Sequence, residues 1–304
     1  MLITPYVRLT SIFKGTWKHF LIDLCVCIAA YFFNQYVLAN LFDVPAIIPT
    51  LLGTALAFFI GFNNNQAYDR WWEARKIWGA LVNDSRSWTR QLLHYTRPSE
   101  ELNETELIAT RKKMIMRHLA FVYALKESLR GSAAKVYHDF LSPEEIELIE
   151  SEVNRPNALL MLQARDLESL YRKGAIDGFK FIELNRMTTN FTDEMGQSER
   201  IRNTIFPTTY SYYSRFFIWI FIICVTLVTS DMINLWAIGA GTLVGYIFLT
   251  IHTIGQALLN PFDYIPTGIP LDQISRTIEI NLLQAINHPE IPDPIKNLDN
   301  EYVM

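Results

Sequence analysis

The sequence predicts an all-α membrane protein, with four transmembrane helices and a helical cytoplasmic domain. Three observations predict it. No Lys or Arg occurs between Lys18 and Arg70, or between Arg215 and Arg276, and the only acids inside those gaps are Asp23, Asp43, Asp69, Asp231, Asp263 and Asp272. Of the 58 acidic and basic side chains in the 304 residues, 32 lie within residues 101–203, so two oily blocks flank a highly charged middle. That middle carries helix-start signals and no convincing strand. The competing reading, a soluble helical protein with oily cores, seldom needs two long blocks almost free of charge.

The first span is expected over Phe20–Leu41, long enough to cross a bilayer at 1.5 Å rise per residue. Arg8, Lys14 and Lys18 precede it without a small-residue cleavage site, which favours an uncleaved first helix over a signal peptide. After Pro45 and Pro49, the apolar stretch Ile47–Phe62 is short for a span, but its helix can continue in polar form from Asn63 to Gln91. A third span is expected at Tyr210–Thr229 and a fourth at Leu235–Leu259, joined by a tight Ser230–Asn234 turn. Basic residues flank the hairpins at their open ends and are missing from the tips, so the positive-inside rule puts both termini and the charged middle in the cytoplasm.

The middle reads as helices at Glu104–Arg130, Ser142–Glu150, Pro156–Lys173 and Ala175–Ile205, with a break at Gly174. Ser142-Pro143-Glu144-Glu145 is a helix start: an N-cap, Pro at the first helical position, then acids in the first turn. The expected organisation is a cytoplasmic N-terminal segment (1–19), a first hairpin (20–62), a helical cytoplasmic domain (63–209), a second hairpin (210–259) and a cytoplasmic C-terminal segment (260–304).

Net charge is −4, without the basic excess that nucleic-acid binding wants. Cys25, Cys27 and Cys224 sit in apolar segments with no metal-binding spacing. No HExxH, GxSxG or phosphate-binding loop is present, and no cofactor, metal site or catalytic group is expected. A lipid-headgroup enzyme would need an acid, base or metal cluster that the sequence lacks. Gly241 and Gly245, preceded by Gly239, read as a close helix-packing surface. His252, in the same helix, reads as bonded to a neighbouring helix rather than as a ligand.

The most informative stretch is LLGTALAFFIGFNNNQAYDRWWEARKIWG, residues 51–79. Thr54, Phe58 and Phe62 stand at i, i+4 and i+8 and project from one helix face over about 12 Å. A symmetric ring of such helices would stack Thr above two rings of Phe as a narrow neck, with Asn63, Asn64 and Asn65 following where it opens to water and Asn63 and Asn64 expected at its mouth. Phe edges carry partial positive charge and can favour an anion weakly, while a tight apolar constriction can gate by dewetting. Spacing alone favours Phe58 and Phe62 as ordinary core residues of a membrane bundle. Trp71, Trp72, Trp78 and Trp88 read as packing residues. Asp69 and Glu73 stand at i, i+4 with like charge, so each is expected to pair with another element or subunit.

Three segments carry a resemblance. GTALAFFIGFNNNQAYDRWWEARKIWGAL (53–81) resembles the second-helix segment of the bestrophin family, ERIRNTIFPTTYSYYSR (199–215) resembles the approach to its third span, and NPFDYIPTGIPLDQISRTIE (260–279) its post-fourth-span motif in bacterial form. The resemblance implies a homopentameric ion channel of a bacterial cytoplasmic (inner) membrane, whose partners are its own copies, membrane lipid and small inorganic ions. It places the neck at Thr54, Phe58 and Phe62, and a second, lower restriction near Thr188. Thr54 departs from the family's usual bulky aliphatic.

Animal members also carry a dense acidic run that helps clasp calcium. Here Asp263 and Asp272 are too sparse to supply six to eight oxygen ligands, and pairing with Arg residues such as Arg70 or Arg75 is expected instead. Chloride or another monovalent anion is the expected ion. The alternatives are a cation-selective pore, with Asp43 or Asp193 and Glu194 at the mouths setting the preference, and a non-conducting membrane scaffold.

Overall fold

The computed structural model describes residues 9–38, 44–204 and 208–296. In chain order these form α1 (Leu9–Phe33), a π-helical turn (Asn34–Leu38), α2 (Ile47–Tyr95), α3 (Glu104–Arg130), a 3-10 turn (Val136–Phe140), α4 (Pro143–Glu150), α5 (Arg155–Arg172), α6 (Gly178–Asn203), α7 (Thr208–Ile233), α8 (Trp236–Leu258) and α9 (Leu271–Ala285). Among the described residues, the only β pairing is an isolated bridge between Ser99 and Leu102. Four helical stretches are long and apolar enough to cross a membrane: Thr16–Leu38, Ile47–Tyr95, Thr209–Ile233 and Trp236–Leu258. The first helix begins earlier than the sequence suggests, because nothing between Leu9 and Phe20 breaks it. The C-terminal segment contains α9, an amphipathic helix that sequence reading left unassigned. The chain divides into two compact units, Leu2–Trp71 with Ile205–Pro261, and Trp72–Thr204 with Phe262–Met304.

The first unit is the apolar one. Cys27, Leu56, Ile60, Ile218, Phe221, Ile222 and Leu249 form its core. Missing β-carbons on α8 let the helices approach. A methyl at Gly241 would collide with the Thr226 hydroxyl of α7 and lie 3.1 Å from the Cys27 sulfur of α1; one at Gly245 would strike the buried Asp23 carboxylate. That is the close packing expected of the paired glycines. Near the ends of α1 and α7, the Asn34 amide donates to Ser230 Oγ (2.6 Å) and Asp231 Oδ1 (2.8 Å), tying the first span to the third. In apolar surroundings such a tie satisfies groups that would otherwise be stranded.

The second unit is built on polar logic. Asn103 and Glu106 form a capping box at the start of α3, and Gly131 ends that helix in the left-handed conformation at φ 63°. Ser142 and Glu145 form a second box on α4, with Pro143 at its first position as its sequence requires. Asn154 and Asp177 cap α5 and α6. Arg117 of α3 is almost wholly buried and pairs with Glu145 of α4 and Asp166 of α5, while also donating to Leu162 O (3.1 Å). One guanidinium thereby holds three helices, a use that suits its planar fork of donors.

Candidate pore-lining face

Within the apolar unit, α2 has two unlike faces. Leu56, Ile60, Asn63 and Ala67 are buried against neighbouring helices. On the opposite side Thr54 is exposed, with Phe58 at 68% and Phe62 at 53% of full exposure. The Phe58 and Phe62 rings lie 4.5 Å apart at 71°, edge to face, so each restrains the other. Thr54 donates its hydroxyl proton to Thr50 O (2.9 Å), leaving oxygen lone pairs as the polar surface it can offer outward. Phe59 points elsewhere: it stacks on Tyr210, whose hydroxyl donates to Phe59 O (2.9 Å).

The three amides after Phe62 separate. At about 100° per residue, Asn63 lies roughly 140° from the middle of the Thr54/Phe58/Phe62 face and Asn64 roughly 120°, whereas Asn65 lies within about 20° of it. The structure agrees. Asn63 is only 1% exposed. Asn64 donates to Ile251 O (3.1 Å) and packs onto Gly255, where a β-carbon would collide with it. Asn65 is exposed. Asn63 and Asn64 therefore face neighbouring helices within the protomer, and Asn65 is the amide that shares the exposed face of Thr54, Phe58 and Phe62. The sequence carried this signal, since three consecutive Asn cannot share a helix face.

In the polar unit, Thr188 is also turned inward: it is buried and donates to Asn185 O (2.7 Å). The exposed residues of that turn of α6 are Asn185, Arg186 and Thr189, with Asp193 one turn on. Glu194 is buried at 6% exposure, and among the described residues neither carboxylate oxygen has a hydrogen-bond partner, so within the protomer it faces the core. Burial, with like charge on Asp84 and Asp193, pushes its pKa up to about 9. Nearby, Asn190 of α6 donates to Asp84 Oδ2 of α2 (2.8 Å), and Trp88 meets Phe191 edge to face. His118 of α3 is wholly buried, and burial pushes it down to about 3, leaving it neutral. The Ser85 proton is used on Leu81 O (2.6 Å), so His118 Nε2 donates to Ser85 Oγ across 2.8 Å.

The acids after the fourth span are engaged, though not with Arg70 or Arg75. Asp272 meets Lys126 (3.0 Å) and Arg130 (2.5 Å), and Asp263 meets Arg202 (3.4 Å). Glu73 pairs with Arg200. Asp43 lies outside the described residues.

The sequence profile described as bacterial/fungal bestrophin protein matches residues 4–284. The chain belongs to the bestrophin family. Among curated relatives of this bestrophin, the voltage-dependent anion channel-forming protein YneE of Escherichia coli K12 is 29% identical over 249 residues, covering 81% of this chain and 78% of the relative. The protein of the same name from Salmonella typhi is 28% identical over 287 residues, covering 93% and 90%. A crystal structure of a bacterial bestrophin homologue from Klebsiella pneumoniae superposes with a TM-score of 0.81 at 22% identity, covering 88% of this chain and 97% of that one. The fold is thus the bestrophin fold. The protein is a membrane protein of a channel family and not an enzyme, as the names of its relatives indicate.

Proposed function

We propose that this bestrophin is the protomer of a homopentameric passive ion channel of the bacterial cytoplasmic membrane, with both termini in the cytoplasm. The second helices meet at the fivefold axis, and Thr54, Phe58 and Phe62 form the neck. The observation that carries this reading is the two-faced α2: one face is buried within the protomer, while the opposite face presents Thr and two large aromatic rings that the described residues leave exposed. Five copies facing an axis would use that face. Asn65 then opens the neck, and Thr189 replaces Thr188 as the side chain at the lower restriction.

The conducted ions are small and monovalent, with anions favoured. Aromatic edges attract anions weakly, the neck has no charged side chain, and the curated relatives are named anion channel-forming proteins. The basic residues Arg8, Lys14, Lys18, Arg70, Arg75 and Lys76 support the orientation, because all flank the spans at one side. Two measurements test the proposal. The protein in mild detergent should run as a pentamer, and a monomer would sink the ring. In planar bilayers under a KCl gradient, wild type should conduct and Phe58→Ala should pass more current through the widened neck; unchanged conductance and selectivity would remove Phe58 from the pore.

A further inference from the structure

The exposed face of α2 does not end at Asn65. Asp69 comes next on it, seven residues after Phe62, about 20° short of two whole turns and about 10 Å further along the axis. Asp69 is exposed, and among the described residues no ion pair or hydrogen bond engages its carboxylate. Its neighbours do not neutralise it. Arg70 points about 100° round the helix and is half-buried. Glu73, one turn on, pairs with Arg200. Lys76, the next basic residue on the same helix face, stands another seven residues on, about 10 Å further from the neck, so Asp69 is the nearer of the two charges to it.

We infer that Asp69 is the charge-selectivity determinant at the inner end of the neck. Resting on the proposed pore, it deepens that reading: five copies of α2 facing one axis place five carboxylates in a ring just below the aromatic constriction. The apolar neck ranks ions by size and dehydration and has no fixed charge to rank them by sign. The first fixed charge an ion meets on leaving it is this ring. Rings of Asp or Glu concentrate cations and turn back anions in other pores by the same field. The ring opposes the weak preference of the Phe edges, so the net sign of selectivity is a competition between Asp69 and the neck, and ionic strength adjusts it. At 0.01 M salt the Debye length is ~30 Å and the ring acts through the whole neck; at 1 M it is ~3 Å and the ring is screened.

The test is reversal potential across planar bilayers holding the full-length protein, under KCl gradients at low and high mean salt. Asp69→Asn should raise the chloride-to-potassium permeability ratio about three- to tenfold at low salt and much less at 1 M. Asp69→Glu, which keeps the charge, should stay near wild type. A conducting wild type whose reversal potential Asp69→Asn leaves unmoved at low salt overturns the inference and spares the channel. Equal shifts in Asp69→Asn and Asp69→Glu also overturn it, since they mark a structural role. Should Asp69→Asn fail to assemble, the wild-type salt series decides: a chloride-to-potassium ratio that rises with salt supports the ring, and a flat one refutes it. No current from wild type or from Phe58→Ala removes the pore itself, and the ring with it.

Discussion

Glu194 offers a prediction whose size follows from its surroundings. Its carboxyl is buried with neither oxygen bonded; that burial, with the like charge of Asp84 and Asp193 added to it, raises its pKa from 4.5 to about 9. The folded protein therefore keeps a proton that the unfolded chain releases above 4.5. Burying the neutral acid carries no ionisation penalty below 4.5. As pH rises, stability falls by about 1.4 kcal/mol per unit, until the folded-state group itself ionises near 9. At pH 7 the accumulated loss is about 3 kcal/mol, and between pH 6 and 8 the further change is of the same order. Glu194→Gln keeps the shape and removes the titration, so the variant should be the more stable form at pH 8 and close to wild type near pH 5. The assay is thermal unfolding in detergent at fixed scan rate, followed by fluorescence of the buried Trp78 and Trp88, the second of which touches Phe191 one turn from Glu194. Wild type should lose about 5–10 °C of midpoint between pH 6 and 8, and the variant much less. Parallel pH profiles for the two proteins would refute the reasoning, because they would mean that Glu194 titrates as an ordinary solvated acid or that the polar unit does not limit unfolding.

Other expectations follow from the same contacts. Asn63→Asp places a carboxylate at a 1% exposed position and should reduce the yield of folded protein, whereas Asn65→Asp should assemble normally and shift the reversal potential toward cations; the reverse pattern would restore Asn63 to the mouth. Gly255→Ala drives a methyl into the Asn64 side chain and should cost about 1–3 kcal/mol, seen as a lower melting midpoint that Gly61→Ala, with open space around it, does not share. Arg117→Met leaves Glu145 and Asp166 without their shared cation and should cost about 3–5 kcal/mol, with α4 exchanging amide hydrogens first.

Much of the fold is legible because its determinants are local. Asn103/Glu106 and Ser142/Glu145 name two helix starts outright, Gly131 and Gly174 mark helix ends by left-handed backbones at φ 63° and 68°, and the charge-free blocks mark the spans. What the sequence hides is rotational. A residue three positions along a helix stays near the same face, and one or two positions along it does not, so the motif that announces the neck does not by itself say which of Asn63, Asn64 and Asn65 shares it. Thr188 and Thr189 pose the same problem. Partner choice is hidden for a different reason: Asp272 finds Lys126 and Arg130 because α9 packs on α3, a tertiary fact with no echo in local spacing.

The two faces of α2 also explain why this segment reads as a motif at all. Its buried side must supply small or complementary groups at fixed turns: Gly53 under the Phe221 ring, Leu56 and Ile60 in the core, Asn64 on Gly255. In the proposed pore its exposed side must present Thr54, Phe58, Phe62, Asn65 and Asp69 in register. Nearly every position from 53 to 69 then answers to packing or to the axis, and a substitution that suits one face cannot slide by a residue without spoiling the other. A rigid helix pinned along one side is also what a neck of bulky rings requires, since a displacement of about 1 Å in each of five Phe rings decides whether a dehydrated ion passes. Selectivity in such a pore depends on the buried face as directly as on the exposed one. Gly255→Ala should accordingly broaden the distribution of single-channel conductances, where Phe58→Ala raises them uniformly.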